Sequence, residues 1–209
     1  MGDDPMRGVA AIILAAGRAT RFEAGPQETK AVAPLEGKPL IRHVAEAALA
    51  SHAKPVYIVT GHARDRVEAA LEGLPVHFIH NADFASGLAG SLKAGLAAVP
   101  EHIAGVLVLL ADMPRVSPGL IDRLVHAYEV AAGEPCAILP LYRGQRGNPV
   151  LLSRRLFPEI MKLEADRGAR AIIDNLQSGV IECPVDDEAV AIDIDTQAAL
   201  RELELRGLN

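Results

Sequence analysis

A single carboxylate follows the most apolar run of the chain. The run at 106–111 ends at Asp112, and Pro114 stands two positions later. If the run is a buried strand, Asp112 lies at the carboxyl edge of the sheet, where α/β proteins bind ligands. A carboxylate there can hold Mg²⁺ together with the phosphates of a substrate. The alternative interpretation is a turn or N-cap aspartate, which Pro114 also suits.

Small residues and two arginines follow the first apolar run, at 9–16. Gly17 ends this run, and Arg18 and Arg21 come directly after it. A loop of small residues lets backbone N–H groups approach a phosphate chain, and arginines add charge and bidentate donors. The glycine spacing matches neither a dinucleotide-binding fingerprint nor a Walker A loop. By itself the segment is equally typical of a strand-to-helix turn with solvated arginines.

Lys30 lies between this loop and a turn at 36–39. A lysine beside a phosphate loop can offset the charge that builds on a transferring phosphoryl group and on its leaving pyrophosphate. Most single lysines are surface residues, so this prediction depends on Gly17 and Arg21 lying nearby.

Two carboxylates alternate near the end of the chain. Asp193 and Asp195 lie on or beside a predicted strand at 190–194, so both side chains face the same way. Neighbouring acids repel unless a cation or a donor lies between them, and the edge of a metal site would explain them. Alternatively, Asp193 is solvated and Asp195 or Thr196 caps the helix that follows.

Glycines also stand where a helix is expected to begin after the run at 76–80. In this segment Asn81, Gly87 and Ser91 combine a small backbone profile with hydrogen-bonding groups. A flat base could lie against such a backbone, and helix N-terminal amides and the Ser91 hydroxyl could bind it. Taken alone, the segment is a helix start.

Short apolar runs and helix-period segments must position these residues, and they alternate along the first two thirds of the chain. This alternation predicts a mostly parallel sheet with helices on both faces. After it we expect an antiparallel strand and an edge hairpin. The predicted strands are 9–16, 55–60, 76–80, 106–111, 136–141, 149–152 and 190–194; the predicted helices are 40–50, 63–71, 88–98, 118–131, two short ones around 156–163 and 169–176, and one from 197.

Composition limits the remaining possibilities. The 209 residues include 21 Lys and Arg against 27 Asp and Glu, so the net charge at pH 7 is −6. This acidity, with few aromatic residues, argues against a broad nucleic-acid or anionic-membrane surface. The length predicts one domain over residues 1–209, with residues 1–7 as a disordered tail. Apolar runs too short to span a membrane and two well-separated cysteines fit a protein of the reducing cytoplasm.

Together the motifs resemble one family, the molybdenum-cofactor nucleotidyltransferases, and most closely its cytidylyltransferases. The resemblance implies an α/β fold of the three-layer α/β/α Rossmann-like type, glycosyltransferase-A-like, with a mostly parallel mixed sheet. The matching strings are LAAG-x-x-x-R at 14–21, the lysine at position 30, APLEGKPLI at 33–41, GLAGSL at 87–92, LLADMP at 109–114, GNPVLL at 147–152, DRGAR at 166–170 and DIDT at 193–196.

The resemblance also implies roles for individual residues. Arg21, Lys30 and Asp112 are expected to be catalytic, and Asp112 and Asp195 to bind Mg²⁺, with Mn²⁺ as an alternative. Arginines near 142–148 and 166–170 suit an anionic acceptor, and there the expected contacts are Asn148, Asp166 and Arg170. Alternatively, these arginines are solvated loop charges. The expected nucleotide-binding residues are Leu14, Ala15, Ala16, Gly17, Arg18, Arg21, Lys30, Asn81, Gly87 and Ser91.

The implied reaction is transfer of CMP from CTP to the phosphate of molybdopterin, with release of pyrophosphate and delivery of the product to a molybdoenzyme. A phosphate nucleophile is already ionised, so positioning and electrostatics suffice and no general base is needed. Three alternatives stay open: guanylyl transfer to the same cofactor, nucleotidyl transfer to a sugar or polyol phosphate, and a non-catalytic chaperone that carries the cofactor.

Overall fold

A mixed eight-stranded sheet forms the centre of the computed structural model, which describes residues 8–17, 22, 29–131, 136–164 and 168–206. A separate two-stranded ribbon is formed by β2 and β3. The strands are β1 (Val9–Ala15), β2 (Pro34–Leu35), β3 (Lys38–Pro39), β4 (Val56–Thr60), β5 (His77–His80), β6 (Gly105–Leu110), β7 (Ala137–Tyr142), β8 (Gln145–Arg146), β9 (Val150–Ser153) and β10 (Val180–Pro184).

Seven α-helices and several short 3₁₀ turns connect the strands in the described part of the chain. The α-helices are α1 (Leu40–Ala50), α2 (Arg64–Ala70), α3 (Leu88–Ala97), α4 (Pro118–Val130), α5 (Phe157–Ile160), α6 (Arg170–Ile173) and α7 (Gln197–Arg206). The 3₁₀ turns are Lys30–Val32, Phe84–Ser86, Arg154–Leu156 and Glu188–Ala191. None of the helices that the structure describes is long and apolar enough to cross a membrane.

The strand order in the large sheet is β10, β7, β9, β6, β1, β4, β5. Neighbours from β6 to β5 are parallel, as are β10 and β7, whereas β9 runs antiparallel to both of its neighbours. The remaining strand, β8, forms a hairpin with β7. The predicted mostly parallel sheet and its antiparallel strand are therefore confirmed. The predicted edge hairpin is wrong, because β8 pairs with the interior strand β7 and the edge strand β10 is parallel to β7.

Alternate residues of β1 enter two different cores, because successive side chains of a strand point to opposite faces. Ala11 and Ile13 pack with α1, α2 and α4, while Ile12 and Leu14 pack with α3, α5 and α6. All four side chains are buried. The sheet thus lies between two helix layers, which is the expected Rossmann-like arrangement.

A third, smaller core joins the end of the chain to its beginning. Ile194 is fully buried there against residues of α7, of the β2–β3 ribbon and of the start of α1. The members of this core are Phe22, Leu35, Leu40, Ile194, Leu200 and Leu203. Because Ile194 stands between Asp193 and Asp195, this core determines where both carboxylates lie.

In the last third of the chain one predicted strand is wrong, and one strand has no predicted counterpart. The predicted strand at 190–194 is instead the 3₁₀ turn Glu188–Ala191, followed by extended backbone outside the strands that the structure describes. Asp187 caps this turn by accepting a hydrogen bond from the Ala189 amide at 2.9 Å, so local capping outweighs β-propensity. The edge strand β10 was not predicted, since Glu182 and Pro184 interrupt its apolar pattern. The predicted tail at 1–7 lies outside the described residues.

Candidate active site

A cavity of about 540 Å³ opens at the carboxyl ends of β1 and β6. This is where ligands bind in open α/β sheets, outside the carboxyl ends of the strands at the point where the strand order reverses. Backbone of the β1 loop, the turn containing Lys30 and the start of α3 all reach it. Its lining residues are Leu14, Ala15, Ala16, Gly17, Thr29, Lys30, Ala31, Phe84, Ala85, Gly87, Leu88, Ser91, Leu110, Ala111, Asp112, Asp193 and Asp195.

Three carboxylates and one ammonium group converge at one end of the cavity. Oxygen atoms of Asp112, Asp193 and Asp195 lie within 4.8 Å of one another. The Lys30 ammonium contacts the Asp112 carboxylate and donates to Asp195 Oδ1 at 2.8 Å. Three carboxyl groups facing one ammonium favour a divalent cation, because Mg²⁺ and Mn²⁺ prefer oxygen ligands.

Burial and charge act in opposite directions on Lys30. Removal of the ammonium from water disfavours its charged form, but the carboxylates of Asp112 and Asp195 outweigh this effect and raise the pKa of Lys30 above its usual value. Lys30 is therefore a cation at neutral pH, and it partly offsets the carboxylate charge.

The backbone around Lys30 is tied to the β1 loop through Thr29. The buried Thr29 hydroxyl caps the 3₁₀ turn Lys30–Val32 by accepting a hydrogen bond from the Ala31 amide at 3.4 Å. The same hydroxyl donates to the Gly17 carbonyl at 3.5 Å, a long contact. The Lys30 side chain consequently extends from a capped turn that lies beside the end of β1.

The beginning of α3 forms another part of the cavity wall. Ser91 lines the cavity, and behind it Asn81 donates from Nδ2 to Ser91 Oγ at 3.2 Å. Both side chains are buried. Gly87, with φ of 101°, makes the turn into the helix in a conformation that favours glycine. The start of α3 therefore offers the cavity hydroxyl and backbone groups rather than charged groups, and such groups can form hydrogen bonds with a neutral nucleobase.

The structure brings most of the predicted nucleotide and metal residues together. The cavity is lined by Leu14, Ala15, Ala16, Gly17, Lys30, Gly87, Ser91, Asp112 and Asp195, with Asn81 directly behind Ser91. Asp193, for which the sequence left two interpretations open, is also a lining residue. Arg18, Arg21 and Asp166 lie outside the described residues, so their assignments stay predictions.

The two described residues predicted to contact an acceptor do not line this cavity. The Asn148 amide donates to the Val190 carbonyl at 2.9 Å. Arg170 donates to the carbonyls of Arg146 and Gly147, each at 3.2 Å. These hydrogen bonds hold backbone together, and the acceptor role of Asn148 and Arg170 stays a prediction.

The apolar wall formed by Phe84, Ala85 and Leu88 was not predicted from the sequence. Apolar side chains carry no chemical signature, so the segment 81–92 indicated only its polar members. A partial signal is Gly61, where a Cβ atom would lie 2.5 Å from Phe84 Cβ. The chain can therefore carry Phe84 at the cavity only because residue 61 has no side chain.

Comparison with known proteins identifies the family. Residues 11–180, more than half of the chain, match the MobA-like NTP transferase domain. The chain belongs to this family. It is a nucleotidyltransferase, and the expected family relationship is confirmed. The matched region includes Lys30 and Asp112 but ends before Asp193 and Asp195.

Two relatives illustrate how broad the similarity is. Nicotine blue oxidoreductase of Paenarthrobacter nicotinovorans is 31% identical over 202 residues, which cover 94% of this chain and 96% of the relative. The bifunctional protein GlmU of Legionella pneumophila (strain Corby) is 31% identical over 172 residues, which cover 79% of this chain. The match covers only 36% of the length of GlmU.

Solved structures share the fold. The crystal structure of Rv0371c from Mycobacterium tuberculosis H37Rv superposes with a TM-score of 0.82 at 24% identity, covering 95% of this chain and 98% of the other. A structure of the same protein in complex with manganese gives a TM-score of 0.77 at 24% identity, covering 96% and 99%. At this identity the comparison establishes a common architecture.

Proposed function

We propose that the protein transfers CMP from CTP to the phosphate of molybdopterin in a reaction that requires a divalent cation, Mg²⁺ or Mn²⁺. The observation that carries the proposal is the convergence of Asp112, Asp193, Asp195 and Lys30 beside the small-residue loop that ends at Gly17. In the reaction an acceptor phosphate oxygen bonds to the α-phosphorus of the triphosphate. The bond from this phosphorus to the bridging oxygen breaks, and pyrophosphate leaves with the electron pair.

The residues present fit a divalent cation. Oxygens from Asp112, Asp193 and Asp195 lie within 4.8 Å of one another, and such hard oxygen donors bind Mg²⁺ and Mn²⁺. A cation held by them would offset the negative charge of the substrate phosphates. The manganese complex of the structurally similar Rv0371c supports this part of the proposal.

The protein's own groups bind and orient the substrates. Lys30 lies within the cavity and directs an ammonium group toward the phosphates, where it offsets charge on the leaving group. The backbone at 15–17 approaches the phosphates closely because its side chains are small or absent. Arg18 and Arg21 belong to the proposal as further phosphate ligands, on the strength of their motif.

In this proposal cytosine is recognised by residues at the start of α3 and just before it. Ser91, supported by Asn81, offers hydrogen bonds to the base, and Phe84 and Leu88 offer an apolar surface for its ring. The resemblance of the motifs at 14–17 and 87–91 to cytidylyltransferases supports CTP over GTP. The same resemblance supports molybdopterin as acceptor and a molybdoenzyme as recipient of the product.

A second candidate is that this member of the nucleotidyltransferase family catalyses an oxidoreductase reaction, for which an electron donor or acceptor must be supplied. It is favoured by 31% identity to nicotine blue oxidoreductase over 94% of this chain. Such a reaction would not release pyrophosphate, so one product assay separates the two candidates.

The deciding experiment measures pyrophosphate release with CTP, GTP, ATP and UTP in parallel, with Mg²⁺ and with molybdopterin as acceptor. We expect release with CTP, and we expect Asp112→Asn to abolish it. Asp65→Asn is the matched control, because Asp65 is an exposed residue of α2 outside the cavity lining. Release with GTP alone would favour guanylyl transfer. Absence of release with every triphosphate would refute the proposal, and turnover of nicotine blue with an added nicotinamide or flavin co-substrate as electron donor or acceptor would favour the second candidate.

A further inference from the structure

Gly147 lies outside the cavity but packs on the segment that carries two of its carboxylates. A Cβ atom at this position would lie 2.5 Å from the Val190 carbonyl oxygen and 2.8 Å from Val190 Cβ. Atoms do not approach so closely without a shift, and here one of the two contacts is backbone. Glycine is therefore required by the close approach of two chain segments.

Hydrogen bonds fix the Gly147 side of this contact. The Gly147 amide donates to the Pro140 carbonyl at 2.9 Å, and Arg170 donates to the Gly147 carbonyl at 3.2 Å. Beside it, Arg146 binds Glu182 at 2.7 Å and Asp174 at 2.9 Å. Gly147 is thus held by β7 and by α6, and its neighbour Arg146 is held by β10.

The opposite side of the contact leads directly to the carboxylates. Val190 belongs to the 3₁₀ turn Glu188–Ala191, and its carbonyl accepts a hydrogen bond from the Asn148 amide. Three residues later comes Asp193. The Ile194 amide then donates to the Asp112 carbonyl at 3.0 Å. Between these two anchors the backbone has few residues in which to absorb a displacement.

We propose that Gly147 is a positioning residue for Asp193 and Asp195, an inference that rests on the metal-dependent reaction proposed above. By letting Val190 approach the sheet, Gly147 sets how far the following residues reach toward Asp112. Ile194 provides the other anchor, because its buried side chain directs both flanking carboxylates to the cavity side. Gly147 would thereby influence the affinity for the cation through the positions of Asp193 and Asp195, without contacting the cation itself.

Three Gly→Ala variants separate this role from a loss of stability. Gly147→Ala introduces the contact with Val190. Gly95→Ala places a Cβ 2.9 Å from Ile12 Cγ2 in the core under α3, so it strains the fold at a different place. Gly119→Ala meets nothing within 4 Å. Each variant is examined for Mn²⁺ affinity by water proton relaxation without nucleotide, and for thermal stability.

We expect Gly147→Ala to weaken Mn²⁺ binding by about tenfold or more, the cost typical of disturbing groups that orient metal ligands. Gly95→Ala should lower the melting temperature but retain Mn²⁺ affinity, and Gly119→Ala should change neither. Unchanged affinity in Gly147→Ala would overturn the inference, as would an equal loss in Gly95→Ala.

A second pair of variants tests the other anchor, in case Gly147→Ala does not fold. Ile194→Ala should weaken Mn²⁺ binding, and Ile194→Val should restore most of it, since valine keeps a branched side chain in the small core. Equal affinities in these two variants and the wild type would also overturn the inference. If the wild type itself binds no Mn²⁺, the proposed metal site is refuted. If the wild type and Gly147→Ala bind Mn²⁺ equally well, the metal site stands and only the role of Gly147 is refuted.

Discussion

Replacement of Lys30 by methionine should have opposite effects on metal binding and on catalysis. The Lys30 ammonium lies against Asp112 and Asp195, two of the three carboxylates that would hold a cation. A divalent cation must compete with this ammonium for the same oxygens. Methionine retains much of the length of the lysine side chain and removes its charge, so Lys30→Met should bind Mn²⁺ more tightly than the wild type in the absence of nucleotide.

The size of the effect follows from the contacts that the cation must replace. A hydrogen bond to a charged group contributes roughly 1.5–3 kcal/mol, and Lys30 makes one with each of two carboxylates. If the cation displaces one of them, the gain on removing Lys30 is about tenfold to hundredfold in affinity, at about 1.4 kcal/mol per factor of ten. The variant should nevertheless lose most of its pyrophosphate release, because the group that offsets phosphate charge is gone.

Titration of Mn²⁺ by electron paramagnetic resonance at pH 7.5 measures the free ion directly in both proteins. Lys38→Met is the matched control, since Lys38 pairs at 2.6 Å with Glu46 away from the cavity. Its Mn²⁺ affinity should equal that of the wild type. Equal or weaker Mn²⁺ binding by Lys30→Met would refute the idea that the ammonium and the cation compete for the same oxygens.

Three further predictions follow from single residues. Ser91→Ala leaves the buried Asn81 amide nitrogen without its partner, so this variant should lower the free energy of unfolding by about 1–3 kcal/mol and raise the KM for CTP. Denaturant titration measures the first effect and steady-state kinetics the second. Unchanged values in both would contradict the prediction. Burial raises the pKa of the Cys183 thiol, so at pH 8 iodoacetamide should label the partly exposed Cys136 faster than Cys183. Peptide mass mapping of the folded protein measures both labelling rates, and equal rates would count against this prediction. The pKa of Lys30 is raised on folding, so its contribution to stability is fully present below the usual value of 10.5 and is lost as the pH rises through the higher folded value. The stability difference between wild type and Lys30→Met should accordingly stay constant from about pH 7 to 9 and decline above 10.5, and a decline already below pH 9 would be inconsistent with this assignment.

Local patterns determined much of the architecture without reference to distant residues. The apolar run at 106–111 predicts a buried strand. Asp112 directly follows this run and must then lie at the carboxyl edge of a parallel sheet. The same reasoning places Gly17 at that edge, whereas the pairing of β1 with β6, which brings Gly17 and Asp112 together, is known only from the structure. These predictions succeed because strand burial and strand direction follow from side-chain hydrophobicity and from short right-handed connections.

Only the tertiary structure decided how the candidate site is completed. Lys30 and Asp195 are 165 positions apart, and no local pattern indicates that their side chains meet at 2.8 Å. For the same reason the sequence did not decide whether Asp193 is solvated or lies at the metal site. Its place depends on Ile194, which is buried against residues from α7 and from the region around the β2–β3 ribbon. Side-chain direction outside regular strands is set by such long-range packing and by backbone hydrogen bonds, which sequence periodicity does not record.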